Sequence, residues 1–563
     1  MTNKTKDIQP HSNQSSNNTE HTEEIINFEE KDRIGLPSEI DEDFLLSFGQ
    51  VFRKISGLSL SMALSYTFSF EVFLTVVLLS YMNQDEDNIA AATLISTMMN
   101  ALLVIGMSPL FAMSLYASNK IGELNEIQKK GIGDTDTLRE MRTNIAAVNR
   151  NGFLISAIIT PPLMLSLIFS KKILADMLGQ EEKVSEIAQN FLRMYSLAVP
   201  GLMARVSIEQ MMFSFGRTKP AMVIGLLNLV AGAALSTWLG FGGLGMTKFG
   251  PEGIAGGWVI ETYVTAIAYG LFLARDKQFT DFKFFNLFAK IKGNLEQIKE
   301  LLKIGGPISF TVATEMAMTL TIGILAGLVG TQQQAALTFI MQFIFFLFIG
   351  LAAFGQSCSQ EISRQIGAKQ YHNANQIAKY GLITTALCMT PIPLALSFYP
   401  GMLLATIENP EPYLRSILNI LVPIMSMGVI SDSVRYNVLQ QLRGCGDLNG
   451  STIVSTSALA LGMITAGVLG LKTPMGIYGI GAGYTGGIVS AEIGLLIRWY
   501  NRIKPENLRI INEKITQPSP EISITKCLSA LFSCTKRHNK TQPVDNEKQN
   551  LLDHGPTYAY TPT

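Results

Sequence analysis

Charge is scarce in this chain. Of its 563 residues only 16% are Asp, Glu, Lys or Arg, while 47% are apolar; an ordinary soluble domain carries roughly 25% charged residues. That balance argues against a string of soluble domains and for one large membrane domain. Histidine is rarer still: His11, His21, His372, His538 and His554 fall in the tails or in one loop, so no imidazole is placed to hold a metal or haem, or to relay protons, inside an apolar segment. Three of the five cysteines, Cys358, Cys388 and Cys445, lie in or beside apolar segments, and Cys527 and Cys534 lie near the C-terminus. No spacing among them suggests zinc or a disulfide framework, and palmitoylation of the tail pair is a minor alternative. No Gly-rich loop with Lys and Ser/Thr is present to bind ATP, and no nucleophile–His cluster occurs in the apolar segments. The expectation is a protein that is not an enzyme and uses no cofactor. The stretch before the first long apolar segment, near residue 55, has no apolar core with a small-residue cleavage site and does not read as a signal peptide.

What is abundant is long apolar sequence. Roughly 20 apolar residues cross a bilayer as a helix, and twelve segments qualify: 51–82, 88–117, 148–170, 190–214, 220–240, 254–274, 303–328, 335–357, 376–398, 413–441, 451–471 and 479–500. The fourth is the least apolar. Basic residues in alternate loops orient the bundle with both termini inside. Lys120, Lys129, Lys130, Arg139 and Arg142 fall in one inner loop and Arg275, Lys277, Lys283, Lys290, Lys292 and Lys299 in another; Lys171, Lys172 and Lys183 oppose the rule. The expected organisation is an acidic, disordered cytoplasmic tail over 1–47, a six-helix bundle over 48–274, a cytoplasmic linker or surface helix over 275–302, a second six-helix bundle over 303–500 and a disordered cytoplasmic tail over 501–563. The leading tail holds four basic against eleven acidic residues, a composition that resists burial.

The two bundles read as a repeat. Lys120-Ile121-Gly122 recurs as Gln365-Ile366-Gly367, and Ala91-Ala92 as Ala335-Ala336, at offsets of 244–245. Past the loop 118–147 the offset falls to about 230: Gly152 matches Gly381, Pro161 matches Pro391 and Gly216 matches Gly446. Two parallel six-helix units related by an axis along the membrane normal leave a cleft between them, the default substrate site of such transporters.

An ionised group at mid-bilayer costs at least about 2.5–3.5 kcal/mol, so it faces an interior or pairs. Glu71, Glu209, Glu261, Glu315, Asp432 and Arg435 stand inside spans, with Glu492 nearer the inner end of the last. Glu315 follows Pro307 by eight residues with no basic neighbour in sequence and reads as an unpaired carboxylate for a proton or Na⁺. Asp432 has Arg435 on the same helical face, with Ser431, Ser433 and Asn437 adding oxygens that suit a hard cation. Glu71 has no basic residue nearby, Glu209 has Arg205 four residues before it as a structural partner, and Glu261 is ambiguous. Met316, Met318, Phe339, Met341, Phe343, Phe345 and Phe346 offer an adaptable apolar wall, though plain packing explains them as well; Gln342 is a further cleft candidate. A carboxylate that takes a small ion loses its attraction for an organic cation, the exclusivity antiport requires.

Three runs carry a family resemblance: Gly216-Arg-Thr-Lys-Pro-Ala-Met-Val-Ile-Gly225, Lys303-Ile-Gly-Gly-Pro307 followed by Glu315, and Leu442-Arg-Gly444-Cys-Gly-Asp447. They resemble the motifs of the multidrug and toxic compound extrusion (MATE) family, NorM-type branch, over about residues 50–500. The resemblance implies an all-α polytopic membrane protein with twelve transmembrane helices in two pseudo-symmetric six-helix bundles, arranged as a V. It implies a monomeric exporter of organic cations and drugs across the inner (plasma) membrane in exchange for H⁺ or Na⁺, with no nucleic-acid partner. Glu315 and Asp432 fall on the family's coupling positions, Glu71 stands nearest the first-helix acid, and no metal is implied beyond a possible Na⁺ at Glu315 or Asp432. Gly428 replaces an expected tyrosine, and Arg435 departs from the pattern. The alternatives are a lipid-linked precursor flippase of the same superfamily and, beyond that, a passive channel or membrane assembly partner.

Overall fold

Long uncharged runs have to satisfy their backbone groups internally, and in this chain they do so as helices. The computed structural model describes residues 45–516, apart from 83–85, 132, 244, 246, 286–293 and 405–411. Twelve helical spans follow in order. α1 runs Phe48–Ser65 and, past a break at Tyr66, Thr67–Met82; α2 runs from Glu86–Met98 through a π-turn at Met99–Leu103 to Phe111–Lys130. α3 is Thr135–Ile168, α4 is Glu182–Tyr195 continued as Val199–Ser214, α5 is Thr218–Phe241 and α6 is Gly250–Arg275. The second set is α7 (Asn294–Val329), α8 (Thr331–Gly367), α9 (Tyr371–Met389 and Pro391–Phe398), α10 (Pro412–Gly444), α11 (Leu448–Lys472) and α12 (Ile477–Arg502). A short helix, α13, closes the described chain at Pro505–Thr516.

Ten of these are long and apolar enough to span a membrane, and α9 makes eleven if its two pieces, bent by 44° at Pro391, are one span. The bend has a cause: proline removes a helical donor and clashes with the preceding turn. The twelfth, α4, is interrupted by a 3₁₀ turn at Ser196–Ala198 and carries Arg205 and Glu209, both buried. Its polarity belongs to the site it builds.

Three expectations are corrected. The segment 118–147 is no loop: α2 continues to Lys130, and α3 starts at Thr135 under an Asp134 cap that accepts from the Thr137 amide at 2.8 Å. Bonds from Thr137 hold the Asp134 carboxyl below the ordinary aspartate range. No separate surface helix is seen among the described residues of 275–302, where one 3₁₀ turn (Thr280–Phe282) precedes α7 and 294–302 simply extend that span; residues 286–293 lie outside the described part. The expected disordered tail from 501 is helical through 516, since the amphipathic α13 lays Leu508 into the core beside Trp499 and Ile503. The leading tail to residue 44 and residues 517–563, with Cys527 and Cys534, lie outside the described residues.

The repeat is physical. α4 and α10 end in the same turn, with Gly216 and Gly446 at φ 74° and 82° and matching bonds from Arg217 N to Met212 O (3.0 Å) and Asp447 N to Leu442 O (2.9 Å). Left-handed backbone there favours glycine. Where α2 crosses α8, a Cβ on Gly122 would lie 2.0 Å from the Arg364 carbonyl oxygen, and one on Gly367 would lie 1.9 Å from that of Asn119. The two contacts are one contact seen twice, so a pseudo-two-fold axis passes between the matching tripeptides.

Hydrogen bonds joining the halves cluster at the end where α1 begins. Lys54 meets Glu361 at 2.6 Å, Ser59 meets Ser357 at 2.6 Å, Asn119 donates to Ser363 O at 3.2 Å and Arg364 donates to Ser214 O at 2.7 Å. A little deeper, Gln356 of α8 donates to Gln210 of α4 at 2.6 Å and accepts from the Tyr66 hydroxyl. That end of the bundle is closed.

Candidate functional site

Two arginines organise the ionisable groups inside the spans, one in each half. In the second half Arg435 of α10 donates Nε to Asp432 Oδ1 at 2.5 Å, Nη1 to Ser455 Oγ of α11 at 3.1 Å and Nη2 to Glu315 Oε1 of α7 at 2.9 Å. Asp432 and Arg435 share a face because they stand three residues apart on one helix. Ser455 comes from α11, which packs against α10, and Glu315 reaches in from α7, which packs on α11 and α12. The Glu315 side chain keeps 13% of its exposure and Asp432 11%, against 3% for Arg435. Two acids thus share one guanidinium, and the acids are its more accessible members. Tyr484 of α12 lies within electrostatic reach of both, and Glu492 lies against Ser431 and Asp432.

The first half repeats the plan in a sealed interior. Arg205 of α4 donates Nη1 to Glu71 Oε1 of α1 at 2.7 Å and Nη2 to Thr67, while the same Nη1 stands 3.5 Å from Glu261 Oε2 of α6. Thr265 donates to the other Glu261 oxygen at 2.7 Å. Glu209, one turn along α4, is buried with Oε1 unpartnered. Removing an ion from water costs several kcal/mol even after relaxation, so charges this deep persist only when paired and hydrogen-bonded.

The placement amends the sequence reading. Glu315, expected to be unpaired, is bound by Arg435, 120 residues away in sequence. Glu71, with no basic neighbour in sequence, is bound by Arg205, 134 residues away. The expected local pair of Arg205 with Glu209 does not form; the guanidinium reaches across to α1 instead. Ser433 turns back to Ile430 O at 2.7 Å, and Asn437 donates to Thr385 of α9 at 2.8 Å and accepts from Gln441 at 2.6 Å. Both are spent on packing and add no oxygen to the Asp432 site. Gln342 is exposed on α8. Of the apolar wall, Met318 and Met341 are buried in the second-half core, whereas Phe346 is exposed and meets Phe70 edge-on at 6.4 Å across the halves. At Gly428, where a tyrosine was expected, a Cβ would lie 2.9 Å from Thr485 Oγ1; α10 and α12 leave no room there, and Tyr484 of α12 supplies the phenol near Asp432.

Sequence reasoning missed Ser455 and Tyr484 and treated Arg205 as merely structural. A signal for the equivalence of the clusters was present: Glu71 and Glu315 are separated by 244 residues and Arg205 and Arg435 by 230, the offsets of the repeat.

The MatE family model matches residues 140–238 and 307–468. A probable multidrug resistance protein NorM from Bacillus thuringiensis subsp. konkukian is 26% identical over 322 residues, covering 57% of this chain and 70% of that protein. Its counterpart in Synechocystis is 21% identical over 436 residues, covering 76% and 89%. Among solved structures, the eukaryotic MATE transporter AtDTX14 matches with a TM-score of 0.70 at 16% identity over 83% of this chain and all of that one. The bent form of the Vibrio cholerae MATE transporter VcmN matches at 0.66 and 17% identity, over 83% and 98%.

Proposed function

Because the chain belongs to the MatE family, whose MATE transporters share its fold, we propose that this multi-pass membrane protein is a secondary antiporter. It exports drugs, as the multidrug-resistance names of its NorM relatives suggest, and its substrates are organic cations exchanged for H⁺ or Na⁺. Glu315 and Asp432 are the coupling residues and Glu71 a further one, with Glu261 and Arg435 supporting them; no cofactor is needed. The protein sits as a monomer in the inner (plasma) membrane with both termini cytoplasmic, in keeping with the basic loops at the closed end of the bundle.

The observation that carries this reading is the Arg435 site. Two carboxylates facing one guanidinium leave an excess negative charge, and the acids keep partial access. A cleft edge of that sign attracts cations. An ion arriving from the far side of the membrane neutralises the excess and releases the drug, and the drug returns only when the ion has left. A single charge balance therefore forces the exchange. Efflux of ethidium from vesicles under an imposed pH or Na⁺ gradient tests it: Glu315→Gln and Asp432→Asn should each abolish gradient-driven efflux, and unchanged efflux in both would refute the assignment.

A further inference from the structure

One arginine near the closed end of the second half has no acid. Arg443, in the last turn of α10, keeps 3% of its exposure, and its Nε and Nη2 are buried with no hydrogen-bond partner. The acids around it are already taken. Glu315 is held by Arg435 at 2.9 Å, Glu361 of α8 by Lys54 and Arg364 at 2.6 and 2.9 Å, and Asp447, just past α10, by Arg498 at 2.8 Å. An ion stranded in a dry interior is expensive. The fold does not ask for it: α4 ends in the same glycine turn, and the repeat offset of 230 puts Phe213 where α10 has Arg443. Phe213 is buried and meets Tyr66 edge-on at 6.1 Å, so an apolar side chain serves that position equally well.

Arg443 faces the seam between the halves. It stands seven residues past Tyr436, about two turns, and so on the same side of α10. That side packs on α8: a Cβ on Gly355 would lie 3.2 Å from the Tyr436 ring and 2.9 Å from Gln440, and one on Gly444 would lie 2.5 Å from Ser359 O. Tyr66 of the first half lies within electrostatic reach of Tyr436. Side chains tilt toward the N-terminus of their helix, so Arg443 leans from the closed end toward Glu315, which is within its electrostatic reach. The second half thus holds an acidic place at Glu315 and Asp432 and a basic place at Arg443. Asp432 and Arg443 are eleven residues apart on α10, about 16 Å along the axis.

Nε and Nη2 form one edge of the guanidinium plane. Their N–H bonds run side by side, the fork that receives both oxygens of a carboxylate; a spherical anion uses it less well. The edge is covered while the inner end is closed and is uncovered when the halves part there, the arrangement in which an exporter collects its substrate. We propose that Arg443 is a specificity-determining residue that receives the carboxylate of a zwitterionic drug whose ammonium goes to Glu315 and Asp432. Closing the inner end withdraws the fork and frees the carboxylate for release on the other side. The proposal rests on the antiport reading and extends its substrates from organic cations to zwitterions.

Rhodamine 110 and rhodamine 123 test it, since they differ only in a free carboxylate and its methyl ester. Gradient-driven uptake of each is measured in inside-out vesicles holding the full chain. In Arg443→Gln the ratio of kcat/KM for rhodamine 110 to that for rhodamine 123 should fall by about tenfold or more, the loss of a charge-assisted bond, chiefly through KM. Arg443→Lys, a point charge without the fork, should recover part of it. Arg443→Gln strands no acid, so its denaturation midpoint should not fall, with Arg443→Met as the second variant. An unchanged ratio in folded variants, or a lowered midpoint with an unchanged ratio, marks a purely structural arginine and overturns the proposal. Replacing chloride with gluconate separates a free anion from the substrate's own: transport of both probes that depends on chloride in the wild type and not in Arg443→Gln, at an unchanged ratio, also overturns it. If the wild type moves neither probe under any gradient, the antiport reading fails, and fluorescence anisotropy of the two probes on the detergent-solubilised chain still decides whether Arg443 reads the carboxylate.

Discussion

Replacing Arg435 with alanine removes the one positive charge on which Asp432 and Glu315 both depend. Three bonds are lost, at 2.5, 2.9 and 3.1 Å, and two carboxylates are left facing each other in the space of one side chain. Breaking a buried ion pair from one side costs about 3–5 kcal/mol because the abandoned charge stays buried. Glu315 and Asp432 keep 13% and 11% of their exposure, so some water reaches them and the lower end applies, about 3 kcal/mol, or roughly two powers of ten in the folding equilibrium. The loss should shrink on acidification, since protons then neutralise what the arginine no longer does. Arg435→Ala, Glu315→Gln, Asp432→Asn and their combinations, compared as denaturation midpoints of the detergent-solubilised protein, form a mutant cycle. The triple variant should recover most of the loss, for it strands no charge. An Arg435→Ala protein within about 0.5 kcal/mol of wild type at neutral pH would mean that the guanidinium is no counter-ion to these acids.

Other outcomes follow from the same geometry. Gly122→Ala and Gly367→Ala each drive a Cβ into backbone at 2.0 and 1.9 Å; overpacking of about 1–3 kcal/mol should open the closed end, seen as faster labelling of a cysteine introduced at Ser357. Glu361→Ala strands Lys54 and Arg364, both within 2.9 Å of it, and should cost about 3 kcal/mol, whereas Lys54→Ala, at a position 28% exposed, should cost much less. Gly446→Ala places a side chain at φ 82° and should destabilise by about 1–2 kcal/mol in the same midpoint assay. The Asp134 carboxyl, held low by Thr137, contributes its cap above the unfolded aspartate value near 3.9 and loses it as pH falls through the lower folded value; amide protection over 135–139, relative to the intrinsic exchange rate at each pH, should fall at acid pH in wild type and be low at all pH in Asp134→Ala.

Periodicity and composition alone identified the twelve spans and the parallel repeat, because bilayer thickness fixes how long an apolar run has to be and a duplicated bundle keeps its offsets. They also picked out Glu71, Glu261, Glu315, Asp432 and Arg435, because a charge inside such a run is expensive wherever it points. They did not reveal that the carboxylates are paired. Arg435 and Glu315 meet only once α7 and α10 are both packed against α11 and α12, and Arg205 and Glu71 only once α1 and α4 are both packed against α5 and α6; sequence neighbourhood says nothing about a helix that arrives from more than a hundred residues away. Ser433 and Asn437 stand one and five residues past the right aspartate yet turn toward their own backbone and α9, since at 3.6 residues per turn those separations rotate a side chain by about 100° and about 140° away from the Asp432 face. The chain therefore determined by itself which segments cross the membrane and which charges had to be sheltered there. Tertiary packing alone decided that an arginine in each half shelters them, for charge neutralisation acts over a few ångströms of space and not along the chain.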